Sequence, residues 1–302
     1  MYVSTSPSEL TMNDDCSLAR DYRYVRGLRP REEKRSPTLA SGTAVHYAVE
    51  HFTRNYPQTV PDDDDVEALA LECLRAEFVG DEDEGERNVK KFTAGVKRAV
   101  SRIPEWVWKA DWVAERDIST TFYFPCTDFG ADDVEFANCP QCLEVELHGR
   151  PDLYRTWTTE DGVPVLEIVD VKTTETDPLS FVLWTPQLRM YAAMLFDEVP
   201  GALIQYRYVC TPTAASAKPP ITPPVIFTSQ SHSRTVDEIG MYARKLLVEA
   251  EPRYSRRCDW CDYKKVCAVR ITGGDSEGVL KDEYSTRDER NTLREQEVNS
   301  EY

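Results

Sequence analysis

Residues 149–172 read GRPDLYRTWTTEDGVPVLEIVDVK, which is two strand-like runs separated by a turn. Just before them, apolar and polar side chains alternate over residues 143–148, the period of a strand with one buried face. The apolar run at residues 165–171 is typical of a strand buried on both faces. Asp161-Gly162, between the two runs, indicates a hairpin. The sequence therefore predicts a β-hairpin at the centre of the fold.

The buried run ends with two charged side chains, Asp170 and Lys172. They project from the same face because side chains on a strand repeat every second residue. A loop of three residues, Glu160–Gly162, would also place Asp152 opposite Asp170, whereas a two-residue loop would turn Asp152 to the other face. Gly162 suits the left-handed position that closes a three-residue loop. We therefore predict an odd-length loop, with two carboxylates beside one lysine.

Such a group at the end of a buried strand is costly to desolvate unless its members pair or bind a metal ion. Carboxylate oxygens suit a hard cation such as Mg²⁺ or Mn²⁺, which lowers the pKa of a bound water and neutralises phosphate charge. Lys172 would orient that water or stabilise the developing charge. An ordinary ion pair between Asp170 and Lys172 is the alternative, and the hairpin alone does not decide between them.

The overall composition limits the classes of function. The chain has 302 residues, of which 41% are hydrophobic, enough for one large core or a domain with an appended subdomain. Its net charge of -17 argues against general phosphate binding, so any nucleic-acid contact would come from local basic patches. The sequence shows neither a charged leader nor an apolar run that could cross a bilayer, so we expect a cytoplasmic protein without membrane contact.

Residues 20–35 are a candidate basic patch, because Tyr22 and Tyr24 are interleaved with seven lysine and arginine residues. Amines bind phosphates and aromatic rings stack on bases, but a solvated helix face is an equal alternative. The following residues, 37–56, have the apolar spacing of a helix. His46 lies within it among apolar neighbours, where a lone histidine is more often a packed core residue than a ligand.

Nine cysteines in a chain expected to be intracellular argue against a disulfide framework, because their number is odd. Cys258, Cys261 and Cys267 are close in sequence, and Cys16 is available as a fourth thiolate. Four thiolates can hold zinc or an iron–sulfur cluster, and three close cysteines with one distant cysteine fit a cluster better.

An irregular insert contains a second group of cysteines. Cys126, Cys139 and Cys142, with His148 as a fourth ligand, form a candidate zinc site. A loop that carries thiols without a metal is the main alternative, because the Cys-x-x-Cys pair at its centre is moderate evidence alone.

The short motifs occur in a defined order. They are Cys16, Gly42-x-x-x-His46, Gly149-x-x-Asp152, Asp170-x-Lys172, Gln187-x-x-x-Tyr191 and Cys258-x2-Cys261-x5-Cys267. Together they resemble the RecB-like branch of the PD-(D/E)xK nucleases, and are most similar to the iron–sulfur-containing exonucleases of the CRISPR-associated Cas-four type, which also occur in phages. The resemblance covers roughly residues 5–270 and leaves the cysteine-bearing insert unmatched.

The resemblance implies an α/β fold of the restriction-endonuclease-like type, with a mixed central sheet flanked by helices and an N- plus C-terminal iron–sulfur subdomain. It also implies site roles. His46, Asp152 and Asp170, with the Val171 carbonyl, would bind Mg²⁺ or Mn²⁺, and Lys172 would be the catalytic lysine. Gln187 and Tyr191 would position Lys172 or the DNA backbone, and a 4Fe–4S cluster would be held by Cys16, Cys258, Cys261 and Cys267.

These features predict four segments along the chain. They are an N-terminal cluster segment (1–36), a nuclease core (37–250, helical over 37–110 and sheet over 111–230), a C-terminal cluster segment (251–270) and a flexible charged tail (271–302). A cluster that joins the first segment to the third would hold the chain ends together and gather their basic residues into one DNA-binding surface.

The function implied is a metal-dependent DNA exonuclease acting on single-stranded DNA or frayed ends. Its setting would be recombination, phage replication or CRISPR adaptation, with a protein partner from that pathway, and in the phage case the location is the host cytoplasm. One alternative is a non-catalytic iron–sulfur protein that binds DNA or acts as an adaptor on a nuclease fold. Another is a zinc-stabilised interaction module. The oligomeric state is not indicated by the sequence.

Overall fold

The structure is a computed structural model that describes residues 1–30, 37–77, 82–125, 142–174, 186–213, 223–254, 258–259, 261–286 and 288–289. The chain divides into two compact units. The core unit comprises Arg35–Phe122 and Glu146–Asp237, and the terminal unit comprises Met1–Lys34, Tyr123–Val145 and Glu238–Tyr302. In the described residues, no helix has both the length and the apolar character that a membrane span requires.

A five-stranded sheet forms the centre of the core unit. Its strand order is β3-β6-β7-β8-β9, with β3 at Val113–Ala114, β6 at Leu153–Thr158, β7 at Pro164–Lys172, β8 at Leu203–Cys210 and β9 at Val225–Phe227. The sheet is mixed, because β7 pairs antiparallel with β6 and parallel with β8. Every residue from Val165 to Val171 is buried, which confirms the prediction of a strand covered on both faces.

The β6–β7 hairpin has the predicted register. Its pairs run from Leu153 opposite Val169 to Thr158 opposite Pro164, so one further step places Asp152 opposite Asp170. The loop is Glu160–Gly162, because the Thr159 amide still donates to the Val163 carbonyl at 2.9 Å. Gly162 closes this loop with φ +80°, the left-handed conformation that glycine adopts without a steric cost. The odd-length loop is confirmed.

The alternating run before the hairpin is not part of β6. It forms β5, Leu143–Gly149, in a separate sheet with the order β1-β5-β4, in which β1 is Tyr2–Thr5 and β4 is Ile118–Phe124. Arg150, Pro151 and Asp152 separate β5 from β6. The predicted strand period over residues 143–148 is thus correct, but this strand belongs to another sheet, and Pro151, which has no amide hydrogen to donate, lies between it and β6.

The core unit also contains helices. They are α3 (Pro37–Asn55), α4 (Asp63–Glu77), α5 (Glu82–Ser101), α6 (Glu105–Trp108) and α7 (Gln187–Met194). The predicted apolar face of α3 is confirmed, since Val45, Val49 and Phe52 are buried in one cluster with Val169 and Val171 of β7. This packing places the middle of α3 beside the end of the central strand.

The described part of the terminal unit joins segments from both ends of the chain. From the N-terminal side come α1 (Pro7–Asp15), α2 (Ser17–Arg20), a π-helical turn (Asp21–Val25) and β2 (Arg29–Pro30). From the C-terminal side come the end of α8 (Ser229–Leu246), α9 (Lys264–Ile271), α10 (Ser276–Glu283) and β10 (Tyr284–Ser285). Ser6 caps α1, because its hydroxyl accepts from the Glu9 amide.

Three tyrosines lie in the core between these two ends, together with Leu18, Leu28, Val266 and Leu280. The ring of Tyr263 lies 5.3 Å from that of Tyr22 and 5.6 Å from that of Tyr284, measured between centroids. The Tyr263 hydroxyl donates a buried 2.8 Å hydrogen bond to the Leu28 carbonyl. Aromatic pairs at this spacing stabilise a core beyond the area that they bury. The two chain ends are therefore packed together by side chains of the protein itself.

Part of the predicted flexible tail forms a helix and a strand. Residues 276–285 form α10 and β10, and β10 pairs antiparallel with β2. Two apolar anchors, Leu280 and Tyr284, are only 3% and 4% exposed. The sequence suggested a tail because the segment is mostly polar and charged, and its few apolar residues did not indicate a packed structure. Residues 276–285 thus have regular secondary structure, while residue 287 and residues 290–302 lie outside the described part of the chain, and the flexibility of the tail stays a prediction.

Candidate metal and catalytic site

Two aspartates lie together where β7 ends. Asp152 Oδ2 accepts a 2.7 Å hydrogen bond from the Val171 amide. Asp170 is 2% exposed, and Lys172 Nζ lies 2.9 Å from its Oδ1 and 2.7 Å from its Oδ2. The register of the hairpin therefore brings the two carboxylates and the lysine to one place, as the sequence predicted.

His46 approaches this group from α3. Its Nδ1 lies 3.4 Å from Asp152 Oδ2. Gly42 stands one helical turn earlier, and a Cβ added there would lie 3.0 Å from Thr173 Oγ1. Residues four apart share a helix face, so the missing side chain of Gly42 lets α3 approach the end of β7 and brings His46 to Asp152. The spacing of the Gly42-x-x-x-His46 motif thus has a packing reason.

Gln187 and Tyr191 lie on one face of α7. Gln187 Nε2 donates to the Tyr191 hydroxyl at 3.2 Å, and that hydroxyl donates to the Arg150 carbonyl at 3.2 Å. Tyr191 packs against Gly149 so closely that an added Cβ would lie 2.5 Å from its Cε1. The Gly149-Arg150-Pro151-Asp152 segment is therefore held by the tyrosine of the Gln187-x-x-x-Tyr191 motif.

Glu115 also lies at this site, although no sequence pattern indicates it. It follows β3, has φ +47°, and its amide donates to the Asp152 carbonyl at 3.0 Å. One ligand atom from each of His46, Glu115 and Asp152 lies within 4.8 Å of the others, a distance at which they could share a metal ion. β3 is only two residues long, so no periodic pattern points to the glutamate that follows it.

The pKa values in the site reflect crowded carboxylates. Burial and the charge of Asp152 raise the pKa of Asp170 to about 6, and the same two causes raise the pKa of Glu115 to about 7. Burial opposes ionisation of Asp152, but the hydrogen bond and charge of His46 outweigh it and hold the pKa of Asp152 below its usual value. For Lys172, burial is outweighed by the charge of Asp170, so its pKa is raised. Such a group favours the arrival of a cation.

The family of the chain follows from comparison with known sequences. A sequence model described as the PD-(D/E)XK nuclease superfamily matches residues 4–268. The chain belongs to the PD-(D/E)XK nuclease superfamily. The mixed sheet and flanking helices are consistent with the fold of these nucleases, and the superfamily acts on nucleic acids with divalent metals. A search of curated proteins gives no match.

One solved structure is similar to this nuclease. It is a crystal structure from Eubacterium rectale with the name "Putative exonuclease". The two chains are 14% identical, the alignment covers 87% of each, and the TM-score is 0.47.

The predicted cluster cysteines of the nuclease converge in its terminal unit. Cys16, Cys261 and Cys267 pack against the tyrosine core. Cys16 and Cys258 both contribute to the electrostatic environment of Cys261 and Cys267, whose pKa values are raised mainly by burial. Cys16 therefore lies against the same core as Cys261 and Cys267, and cluster ligation by the four cysteines stays a prediction.

The candidate zinc site is only partly within the described residues. Cys126 and Cys139 lie outside them. Cys142 is buried, and its carbonyl accepts from the Met1 amine at 2.6 Å, whereas His148 is exposed on β5. Zinc binding at this site stays a prediction.

The basic patch predicted at residues 20–35 is largely neutralised where the structure describes it. Arg20 pairs with Glu9 at 2.6 Å, Arg23 with Asp262 at 3.5 Å and Arg26 with Glu277 at 3.0 Å. Because the chain is strongly acidic, each arginine finds a carboxylate within its own unit. A DNA-binding surface on these residues stays a prediction, and residues 31–36 lie outside the described part.

Proposed function

We propose that this nuclease is a Mg²⁺- or Mn²⁺-dependent DNA exonuclease that hydrolyses phosphodiester bonds. The observation that carries the proposal is the meeting of four side chains at the end of β7, namely His46 from α3, Asp152 from the segment before β6, and Asp170 and Lys172 from β7 itself. An isolated salt bridge between Asp170 and Lys172 would need neither the second carboxylate nor the imidazole.

The residues present fit a divalent cation. Asp152 would offer an oxygen and His46 a nitrogen, and these two belong to the group of ligand atoms that lie within 4.8 Å of one another. The motifs imply Asp170 and the Val171 carbonyl as further oxygen ligands, but Asp170 is not in that group, because its carboxylate is paired with Lys172. Such oxygen and nitrogen ligands suit Mg²⁺ or Mn²⁺. When bound, the cation supplies Lewis acidity, which lowers the pKa of water and neutralises phosphate charge. Asp152 stays ionised for this role, since His46 and the Val171 amide both stabilise its carboxylate.

Lys172 and Tyr191 would act on the substrate side. The Lys172 ammonium is held by both oxygens of Asp170, so it is fixed in position and remains charged. We assign it to orient the attacking water or to stabilise charge that develops on the phosphate. Tyr191 and Gln187 would hold the Arg150 backbone and hence Asp152, or contact the DNA backbone. This positioning role rests on their hydrogen bonds to one another and to Arg150.

We further propose a 4Fe–4S cluster on Cys16, Cys258, Cys261 and Cys267, in an N- plus C-terminal iron–sulfur subdomain. Three cysteines close in sequence with one distant cysteine fit a cluster better than one zinc ion. The cluster would reinforce the join of the two chain ends. Anaerobic purification followed by iron and labile-sulfide analysis tests this, and a Cys261→Ala variant that kept both would contradict it.

We expect single-stranded or frayed DNA ends as substrate, in recombination, phage replication or CRISPR adaptation. The deciding experiment is digestion of end-labelled single- and double-stranded DNA with Mn²⁺ present and absent. Wild-type protein should release nucleotides from an end only with Mn²⁺, and Asp152→Asn should be inactive. Wild-type protein that binds DNA without metal-dependent cleavage would instead support the non-catalytic DNA-binding or adaptor alternative.

A further inference from the structure

Three acidic residues stand in one row across neighbouring strands of the core unit. In β3 and β6, Ala114 pairs with Leu153, so the next step places Glu115 opposite Asp152. In β6 and β7, the equivalent step places Asp152 opposite Asp170. The strand order β3-β6-β7 therefore puts Asp152 between the other two carboxylates. Glu115 lies on the β3 side, and Asp170 lies on the β7 side.

We propose that Glu115 is a further ligand of the catalytic cation, bound together with His46 and Asp152. This inference rests on the proposed function and adds a residue that lies outside the motifs. The side chains of His46, Glu115 and Asp152 each present a ligand atom within 4.8 Å of the others. Asp170 is engaged differently, because both of its oxygens face Lys172 Nζ within 2.9 Å.

The position of Glu115 is fixed by the helix that carries His46. Arg54 of α3 donates to the Ala114 carbonyl at 3.1 and 2.6 Å and to the Glu115 carbonyl at 3.1 Å. On the other side, the Glu115 amide donates to the Asp152 carbonyl. The backbone of Glu115 is thus tied to the two elements that supply the other ligands, so the three ligand groups are organised before a metal arrives.

The charges in the site agree with one divalent cation on this side. Lys172 offsets the charge of Asp170, which leaves two negative charges, those of Asp152 and Glu115. A neutral His46 adds a ligand without charge. Without Glu115, a divalent cation would keep an excess positive charge in a partly buried site, which is unfavourable.

The test is Mn²⁺ binding to the full-length protein, measured by titration calorimetry in the absence of DNA. Glu115→Gln keeps the shape of the side chain and should weaken binding at least tenfold, because even residues that only support a metal ligand typically contribute about 10–100-fold to affinity. Asp111→Asn is the matched control. Asp111 is an exposed carboxylate close in sequence that contacts Gln58 at 3.0 and 3.1 Å, so its removal should leave Mn²⁺ affinity unchanged.

A second readout separates ligation from folding. Metal-free Glu115→Gln should melt at or above the wild-type temperature, because one crowded carboxylate is gone, yet saturable stabilisation by Mn²⁺ should need at least tenfold more metal. Equal Mn²⁺ affinity of Glu115→Gln and wild type would overturn the inference and leave the proposed nuclease standing. Wild-type protein that binds Mn²⁺ through Glu115 but cleaves no DNA would instead refute the proposed function.

Discussion

The close contact between Gly149 and Tyr191 makes Gly149→Ala a sharp test of the site geometry. The new Cβ would lie 2.5 Å from Tyr191 Cε1, whereas carbon atoms in contact are usually about 3.5–4.0 Å apart. The ring must therefore retreat by about 1 Å. The Tyr191 hydroxyl now donates to the Arg150 carbonyl at 3.2 Å, and such a retreat would take it beyond hydrogen-bonding range.

Two costs follow from this displacement. Overpacking of a tight site costs about 1–3 kcal/mol, and the lost hydrogen bond adds about 1 kcal/mol, so Gly149→Ala should lower the free energy of unfolding by about 2–4 kcal/mol. Because a shift of about 1 Å at a catalytic site can cost about a hundredfold in rate, DNA cleavage should fall by that order even at temperatures where the variant is folded.

A double-mutant cycle in urea isolates the contact. In the Tyr191→Ala background both the obstacle and the hydrogen bond are absent, so Gly149→Ala should cost almost nothing there, and the coupling between the two positions should be about 2–4 kcal/mol. Tyr191→Phe serves as the control, since it removes the hydroxyl but keeps the ring and should cost only about 1 kcal/mol. Gly149→Ala with wild-type stability and wild-type cleavage would refute the reasoning.

Three further predictions concern other parts of the protein. Lys172→Ala should abolish cleavage but keep Mn²⁺ binding. In this variant an attractive charge beside Asp170 is lost, so NMR titration should show a pKa of Asp170 above the wild-type value of about 6. Unchanged cleavage would show that Lys172 takes no part in the mechanism. In metal-free protein, the pKa of Glu115 is about 7 in the folded state, above its value in the unfolded state. Between about pH 4.5 and pH 7 the folded state therefore binds this proton more strongly than the unfolded state, so the contribution of Glu115 to stability falls as the pH rises through this range. Urea titrations should therefore show that wild type loses stability relative to Glu115→Gln as the pH rises over this range. A difference in the free energy of unfolding that does not depend on pH would contradict the raised pKa of Glu115. Tyr263→Phe should lower the free energy of unfolding by about 1–2 kcal/mol, because the buried Leu28 carbonyl loses its donor, whereas no change would mean that water replaces the hydroxyl.

The parts of the fold that follow from local chemistry were predictable. The hairpin register depends on the loop length and on Gly162, and both can be deduced from the turn residues and the side-chain period. The helix at residues 37–56 was equally visible from its apolar spacing. The separation of β5 from β6 at Pro151 could not be predicted. Both segments have the composition of a strand, and only their pairing partners, which are distant in sequence, show that they belong to different sheets.

The candidate site divides in the same way. Asp152, Asp170 and Lys172 share one hairpin, so their meeting is a matter of short-range geometry. His46 was ambiguous from its apolar neighbours, and its contact with Asp152 depends on how closely α3 packs against the end of β7. Glu115 was missed because it is brought to the site by the pairing of β3, a two-residue strand, with β6. The residues next to Glu115 in the sequence do not predict that pairing.

The arrangement of the terminal unit affects how the protein is made. Tyr22 and Leu28 are synthesised before the core unit, but their partners Tyr263 and Tyr284 follow more than two hundred residues later. During translation, Tyr22 and Leu28 therefore lack these partners, and their apolar surface stays exposed, until the whole core unit has been produced. A premature stop before Tyr263 would thus leave the five-stranded sheet encoded in full. The segment that carries Tyr22 and Leu28 would then keep an exposed apolar surface, which chaperones and proteases recognise.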